Sequence, residues 1–138
     1  MSQYSSLFNS TRIPEVGKDR LVREDAARHI LVMRRGHFYV FDVLDANGCM
    51  LEPTRLHACL QWICRDEIPS PSHSLGYLTS EDRDIWAGAR RRLVDDGNGP
   101  QLAAIDSALF NLVLDNADTQ NDPRTMSKLF LHGDGANR

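Results

Sequence analysis

The side chains able to do chemistry are five histidines, three cysteines and a scatter of carboxylates and hydroxyls. A histidine acting as general base needs a partner that fixes its tautomer and aims its free nitrogen. One common arrangement is H-x-x-x-D. The residues four positions after His29, His37, His57, His73 and His132 are Met33, Phe41, Gln61, Tyr77 and Ala136, so none fits. Serine catalysis on a strand-to-helix turn would show G-x-S-x-G, and phosphate cradling would show a P-loop or G-x-G-x-x-G. All three patterns are absent. Cys49, Cys59 and Cys64 are an odd number without a C-x-x-C pair. They suit neither a zinc knuckle nor a redox pair, and read as small buried or half-buried thiols in a reducing compartment. His29 and His37 bracket a predicted hairpin and could face each other across it, but no third metal ligand is near in sequence. His132-Gly133-Asp134-Gly135 is the most interesting cluster, yet too short to identify a reaction. Arg90, Arg91 and Arg92 splay around a helix axis rather than converging on an anion. Asp42 and Asp45 fall on opposite faces of a strand, so they do not form an acid/base pair. The residues alone therefore assign no catalytic, substrate-binding or metal-ligating position, and they call for no cofactor.

The elements that must carry these groups are those of an ordinary globular chain. It has 138 residues, 41% hydrophobic and 25% charged, with a formal net charge of −3. That length fits one domain or a piece of a larger one, and the composition supports burial rather than disorder. The charge gives no long-range attraction to nucleic acid or to an anionic membrane. No apolar run approaches the roughly 20 residues that span a bilayer. Residues 1–10 are polar and read as neither signal peptide nor transit peptide, and the Asn9-Ser10-Thr11 sequon lacks a secretory context.

Periodicity divides the chain. Residues 1–28 read as an approach segment with one helical turn near Arg23 to Ala27. His29–Arg34 and His37–Asp45 are β-branched and aromatic runs around Arg35-Gly36, which predicts a hairpin. Ala46-Asn47-Gly48 supplies a second turn. Pro53 opens a helix whose stripe is Leu56, Cys59, Leu60, Ile63 and Cys64. Leu75–Thr79 reads as a short strand. Thr79 or Ser80 caps a further helix with the stripe Ile85, Trp86, Ala89 and Leu93. Asp95–Pro100 breaks the chain. A short helix at Gln101–Asp106 and a buried strand at Ala108–Asp115 follow. Strands alternating with helices, beginning from a hairpin, predict an α/β domain with a mixed β-sheet and flanking helices.

Several long motifs, in order, carry a resemblance. They are Leu7-Phe8-Asn9-Ser10-Thr11-Arg12-Ile13-Pro14, then Ala27-Arg28-His29 with Gly36, then Phe41-Asp42-Val43-Leu44-Asp45. Tyr77-Leu78-Thr79-Ser80 with Arg83-Asp84-Ile85-Trp86-Ala87 comes next, and Leu131-His132-Gly133-Asp134-Gly135 with Asn137-Arg138 closes the set. The chain resembles the choline/carnitine acyltransferase family over almost its whole length. The resemblance implies part of a coenzyme A-dependent acyltransferase domain of the chloramphenicol-acetyltransferase-like fold. It also implies a mitochondrial parent enzyme, on the matrix side of the inner membrane, that moves long acyl groups between carnitine and coenzyme A. Acyl-CoA and acylcarnitine would be its substrates rather than cofactors. Nucleic acid is not implied, peripheral contact with the inner membrane is compatible, and the oligomeric state is left open.

The family's general-base histidine follows the N-R-W-F-D-K motif, of which this chain holds only Asn137-Arg138. The resemblance therefore implies a partial domain over residues 1–138 that stops short of the base. No catalytic or substrate-binding residue of the family is carried onto a position here, and the isolated chain is expected to be inactive. Two alternatives stand beside this reading. One is a noncatalytic isoform or interaction module that keeps part of the fold. The other is an independent hydrolase or metal enzyme built on His132 and Asp134.

Overall fold

The computed structural model describes residues 8–73, 75–114 and Arg124. Five strands and three α-helices are described in the order β1 (Ser10–Glu15), β2 (Lys18–Arg23), β3 (His29–Arg34), β4 (His37–Asp42), α1 (Pro53–Arg65), α2 (Arg83–Leu93), α3 (Gly99–Asp106) and β5 (Asn111–Leu114). A 3₁₀ segment, Leu75–Ser80, precedes α2, and a wide helical turn, Val94–Asn98, joins α2 to α3.

The central sheet has the order β4-β3-β5. β3 pairs antiparallel with β4 and parallel with β5, so the sheet is mixed as the sequence predicts. The β3–β4 turn is Arg35-Gly36 with φ of 50° and 77°. Positive φ at both central positions matches the right-handed twist of the strands, and glycine meets that demand without strain. Leu31 donates its N–H to Phe110 O at 3.2 Å, and His29 O accepts from Leu109 N at 2.9 Å, which sets β5 beside β3.

Alternation along the strands gives the sheet two apolar faces. On one, Ile30 and Val32 pack against Ile63 of α1, with Tyr39, Phe41, Leu60, Leu112 and Leu114 around them. On the other, Leu31 is buried, as are Leu102 of α3 and Ala87 of α2. The domain is therefore layered, with α1 on one side of the sheet and α2 and α3 on the other. α1 starts on Pro53 as expected, and its end is tied to the hairpin. Arg34 Nη1 donates to Ile63 O at 3.0 Å, which also accepts from Asp66 N at 3.3 Å, and to Asp66 O at 2.7 Å, just past the last helical turn. Cys59 is half-buried, but Cys49 and Cys64 are exposed, contrary to the expectation that all three thiols are sheltered. Cys64 lies at the rim of the stripe, past the face that reaches the sheet.

Four other expectations fail. Residues 10–23 form an antiparallel ribbon, β1 with β2, rather than an approach segment with a helical turn. Its two-residue turn is Val16-Gly17, with Gly17 at φ 77°. Leu75–Thr79 lies in 3₁₀ structure, not a strand. α2 begins later than expected: its cap is Asp82, whose Oδ1 accepts from Asp84 N at 2.9 Å and from Ile85 N at 3.4 Å. The buried face also differs from the expected stripe: Ala87 is buried while Ile85 is 57% exposed. The break at 95–100 is real but shorter than predicted. It turns on Gly97 at φ 92°, and α3 already begins at Gly99.

Candidate functional site

The ribbon is fastened to the first turn of α2. Asp84 Oδ1 accepts from the Gly17 N–H at 2.9 Å. Asp19 sits between two guanidinium groups, Arg83 at 2.9 Å and Arg12 at 3.2 Å. These contacts give a physical role to the Arg83-Asp84 pair and to Arg12, all within the motifs quoted above. They hold β1 over the sheet face that α2 and α3 cover.

Two cavities open on that face. One, of about 310 Å³, lies between β1, β3, β5, α2 and α3, and includes Arg12, Met33, Trp86, Arg90, Asp106 and Val113 in its lining. The other, of about 430 Å³, is lined by His37, Phe38, Val40, His73, Asn98 and Gln101 among others. Leu31, Phe38, Leu75, Leu102 and Ile105 contribute to both. The charged feature here is a bidentate ion pair. Arg90 Nη1 reaches Asp106 Oδ1 at 3.2 Å while Nη2 contacts Oδ2, and the side chains keep 16% and 19% exposure. Arg91 and Arg92 are exposed, in line with a solvated helix end, but Arg90 turns inward.

The histidines do not gather. The hairpin register pairs His29 with Asp42 and His37 with Arg34, so the two rings stand at opposite ends of the hairpin instead of facing each other. His29 Nε2 lies 2.7 Å from Ala104 O, and His37 Nε2 lies 2.8 Å from Pro69 O. A carbonyl only accepts, so each Nε2 carries the proton and is held by the backbone. His57 and His73 are exposed. His132 and Asp134 lie outside the described residues. Asp45 is not on a strand; its Oδ1 accepts from Asn47 N at 2.8 Å and Cys49 N at 2.9 Å, an Asx turn. Among the described residues no polar side chain is fully buried, and no three His, Cys, Asp or Glu groups lie close enough to hold a metal ion. Also among them, no helix is long and apolar enough to cross a membrane.

Among the described residues, one titration is shifted. Burial, then the hydrogen bond to Asp66 and its negative charge, raise the Tyr39 phenol above the ordinary tyrosine value. The phenol donates to Asp66 Oδ2 at 3.1 Å, while Asp66 Oδ1 accepts from Ile68 N at 3.0 Å. This cluster ties the hairpin to the end of α1.

Comparison with known proteins bears on the whole chain. The sequence model for choline/carnitine O-acyltransferases matches residues 1–138. The mitochondrial carnitine O-palmitoyltransferase 2 of Bos taurus is 51% identical over all of this chain and 21% of its own length. The Homo sapiens protein of the same name is 49% identical with the same coverage. The peroxisomal carnitine O-octanoyltransferase of Rattus norvegicus is 33% identical over all of this chain and 24% of its own length. The chain thus spans about a fifth of the length of the curated relatives it matches. A mixed sheet layered between helices agrees with such a domain, and together with the match along all 138 residues it settles the family: this chain belongs to the choline/carnitine O-acyltransferases.

Proposed function

We propose that these 138 residues are a scaffold segment from the catalytic half of a mitochondrial, long-chain carnitine acyltransferase. In that enzyme a histidine removes the hydroxyl proton of carnitine as the oxygen attacks the acyl thioester. In reverse, it removes the thiol proton of coenzyme A. The C–S bond breaks as the C–O bond forms, the histidine returns its proton to the departing coenzyme A thiolate, and no acyl-enzyme is made. The segment supplies sheet, helices and the walls of two cavities, and the proton acceptor comes from outside it. The observation that carries the palmitoyltransferase reading is the contrast between 51% identity to the type 2 enzyme and 33% to the octanoyltransferase. Support for an external base comes from His29 and His37, whose Nε2 atoms are already engaged by backbone carbonyls.

The test is a chimera in which this segment replaces its counterpart in the bovine palmitoyltransferase 2. Palmitoyl transfer between carnitine and coenzyme A should persist within about tenfold of the bovine enzyme, a ΔΔG‡ of about 1.4 kcal/mol. A folded chimera that transfers octanoyl but not palmitoyl groups would contradict the long-chain reading. A folded chimera that transfers neither would contradict the assignment to this enzyme type.

A further inference from the structure

We infer that Asn47 is a modification site: its carboxamide closes on the Gly48 nitrogen and is converted to aspartate and isoaspartate, with Asp45 as the clamp that slows the conversion. This stands on local geometry and does not depend on the enzyme assignment. The chain contains two Asn-Gly pairs, Asn47-Gly48 and Asn98-Gly99. Asparagine is chemically labile, most of all before glycine, where no Cβ hinders approach of the next nitrogen to the carboxamide carbon. The fold treats the two pairs differently. Asn47 and Gly48 are exposed in the turn between β4 and α1. Gly48 has φ of 78°, and a Cβ placed on it would meet no atom within 4 Å. The Asn47 carboxamide has no hydrogen-bond partner among the described residues. Asn98 is half-buried, and its Nδ2 donates to Leu93 O at 3.2 Å. Gly99 begins α3, so Asn98 reacts only if it gives up that bond and the first turn of α3 opens.

The step needs only water as co-reactant. The Gly48 nitrogen loses its proton and bonds to Asn47 Cγ, the Cγ–Nδ2 bond breaks, and ammonia leaves with that proton, which yields a cyclic imide. Water then opens the imide. Addition at Cγ gives aspartate in the ordinary chain. Addition at the Asn47 main-chain carbonyl gives isoaspartate, in which the chain runs through the former side chain. Asp45 opposes the first step. Its Oδ1 accepts from Asn47 N at 2.8 Å and Cys49 N at 2.9 Å, and its carbonyl accepts from Gly48 N at 3.1 Å. The last bond occupies the N–H that must lose its proton, so reaction waits on local opening of the turn. Opening an exposed turn held by one residue is easier than opening the start of a packed helix. Isoaspartate adds a methylene to the main chain, so the amides of residues 47 and 49 no longer converge on one oxygen. The Asp45 N to Cys49 O and Leu51 N to Val43 O bonds, both 2.8 Å, lead from β4 towards α1 and should loosen with them.

The bovine chimera tests this without reading palmitoyl transfer. One sample is aged folded and another unfolded in urea, both at mildly alkaline pH. Peptide mass spectrometry follows the exchange of NH2 for OH at each asparagine, and an isoaspartyl methyltransferase marks isoaspartate. Unfolded, Asn47 and Asn98 should convert at rates of the same order. Folded, Asn47 should convert about tenfold or more faster than Asn98. Equal rates in the folded protein, or faster conversion at Asn98, overturn the proposal. So does an intact Asn47 in the folded protein under conditions that convert it in urea. Asp45→Ala removes the side-chain clamp and should speed conversion at Asn47 about fivefold while Asn98 is unchanged. No rise at Asn47 overturns the role given to Asp45. If Asp45→Ala unfolds the protein, seen as Asn98 speeding up as well, Asp45→Asn decides. It keeps an uncharged acceptor, so a smaller rise confined to Asn47 is expected, and none at all overturns the clamp.

Discussion

Arg90→Met isolates the ion pair that joins α2 to α3. At an effective dielectric of ~20, unit charges about 4 Å apart attract by about 4 kcal/mol. Desolvating two groups left only 16% and 19% exposed takes back most of that gain. The pair is therefore worth little over an apolar substitute, but removing one partner strands the other. Asp106 is a poor place for an unpaired carboxylate, because it ends α3, where the helix dipole is negative. Arg90→Met should lower the opening free energy of α3 by about 3 kcal/mol, or roughly a hundredfold in exchange rate. Asp106→Leu should cost about 2 kcal/mol, and the double variant only about 1 kcal/mol. The assay is native-state hydrogen exchange of the α2 and α3 amides in the bovine chimera. Additive costs, or a single-variant loss below about 0.5 kcal/mol, would refute the reasoning by showing a solvent-screened pair.

Two further perturbations follow from the geometry. The folded state holds the Tyr39 proton more tightly than an unfolded chain does. Its contribution to stability is thus complete below about pH 10 and fades as pH rises through the raised folded value. Tyr39→Phe should cost about 1 kcal/mol and abolish that alkaline loss. The difference between the absorbance titrations of the two proteins isolates the group, and a midpoint at or below that of free tyrosine would contradict the assignment. Asp82→Ala removes the α2 cap and should cost about 1 kcal/mol, read as faster exchange at Asp84 and Ile85. Unchanged exchange there would mean that the cap lies elsewhere.

The hairpin and α1 were legible because their signals agree at every level. The β3 and β4 runs are β-branched and aromatic, the Arg35-Gly36 turn admits positive φ, and Pro53 begins a periodic stripe. The ribbon was not legible, because S-T-R-I-P-E and K-D-R-L-V-R alternate weakly and carry a proline and many charges. It is held by contacts distant in sequence, Gly17 to Asp84 and Asp19 to Arg83. Leu75–Ser80 failed for another reason: a short apolar run fits strand or helical turn equally, and packing against α2 decided it. The α2 start was misplaced because Asp82 competes with Thr79 and Ser80 for the cap. At the site, the supposed facing of His29 and His37 ignored hairpin register, which pairs them with Asp42 and Arg34 instead. The Arg90–Asp106 pair had no local signal at all, since its members are 16 positions apart on different helices. The motifs alone pointed to the family, and the match over residues 1–138 agrees with them.

Purified alone, the 138-residue chain should give no carnitine-dependent release of coenzyme A from palmitoyl-CoA above a buffer blank. Turnover that co-purifies with the chain and vanishes on replacing any one of His29, His37, His57, His73 or His132 would place the base inside it, against the scaffold account.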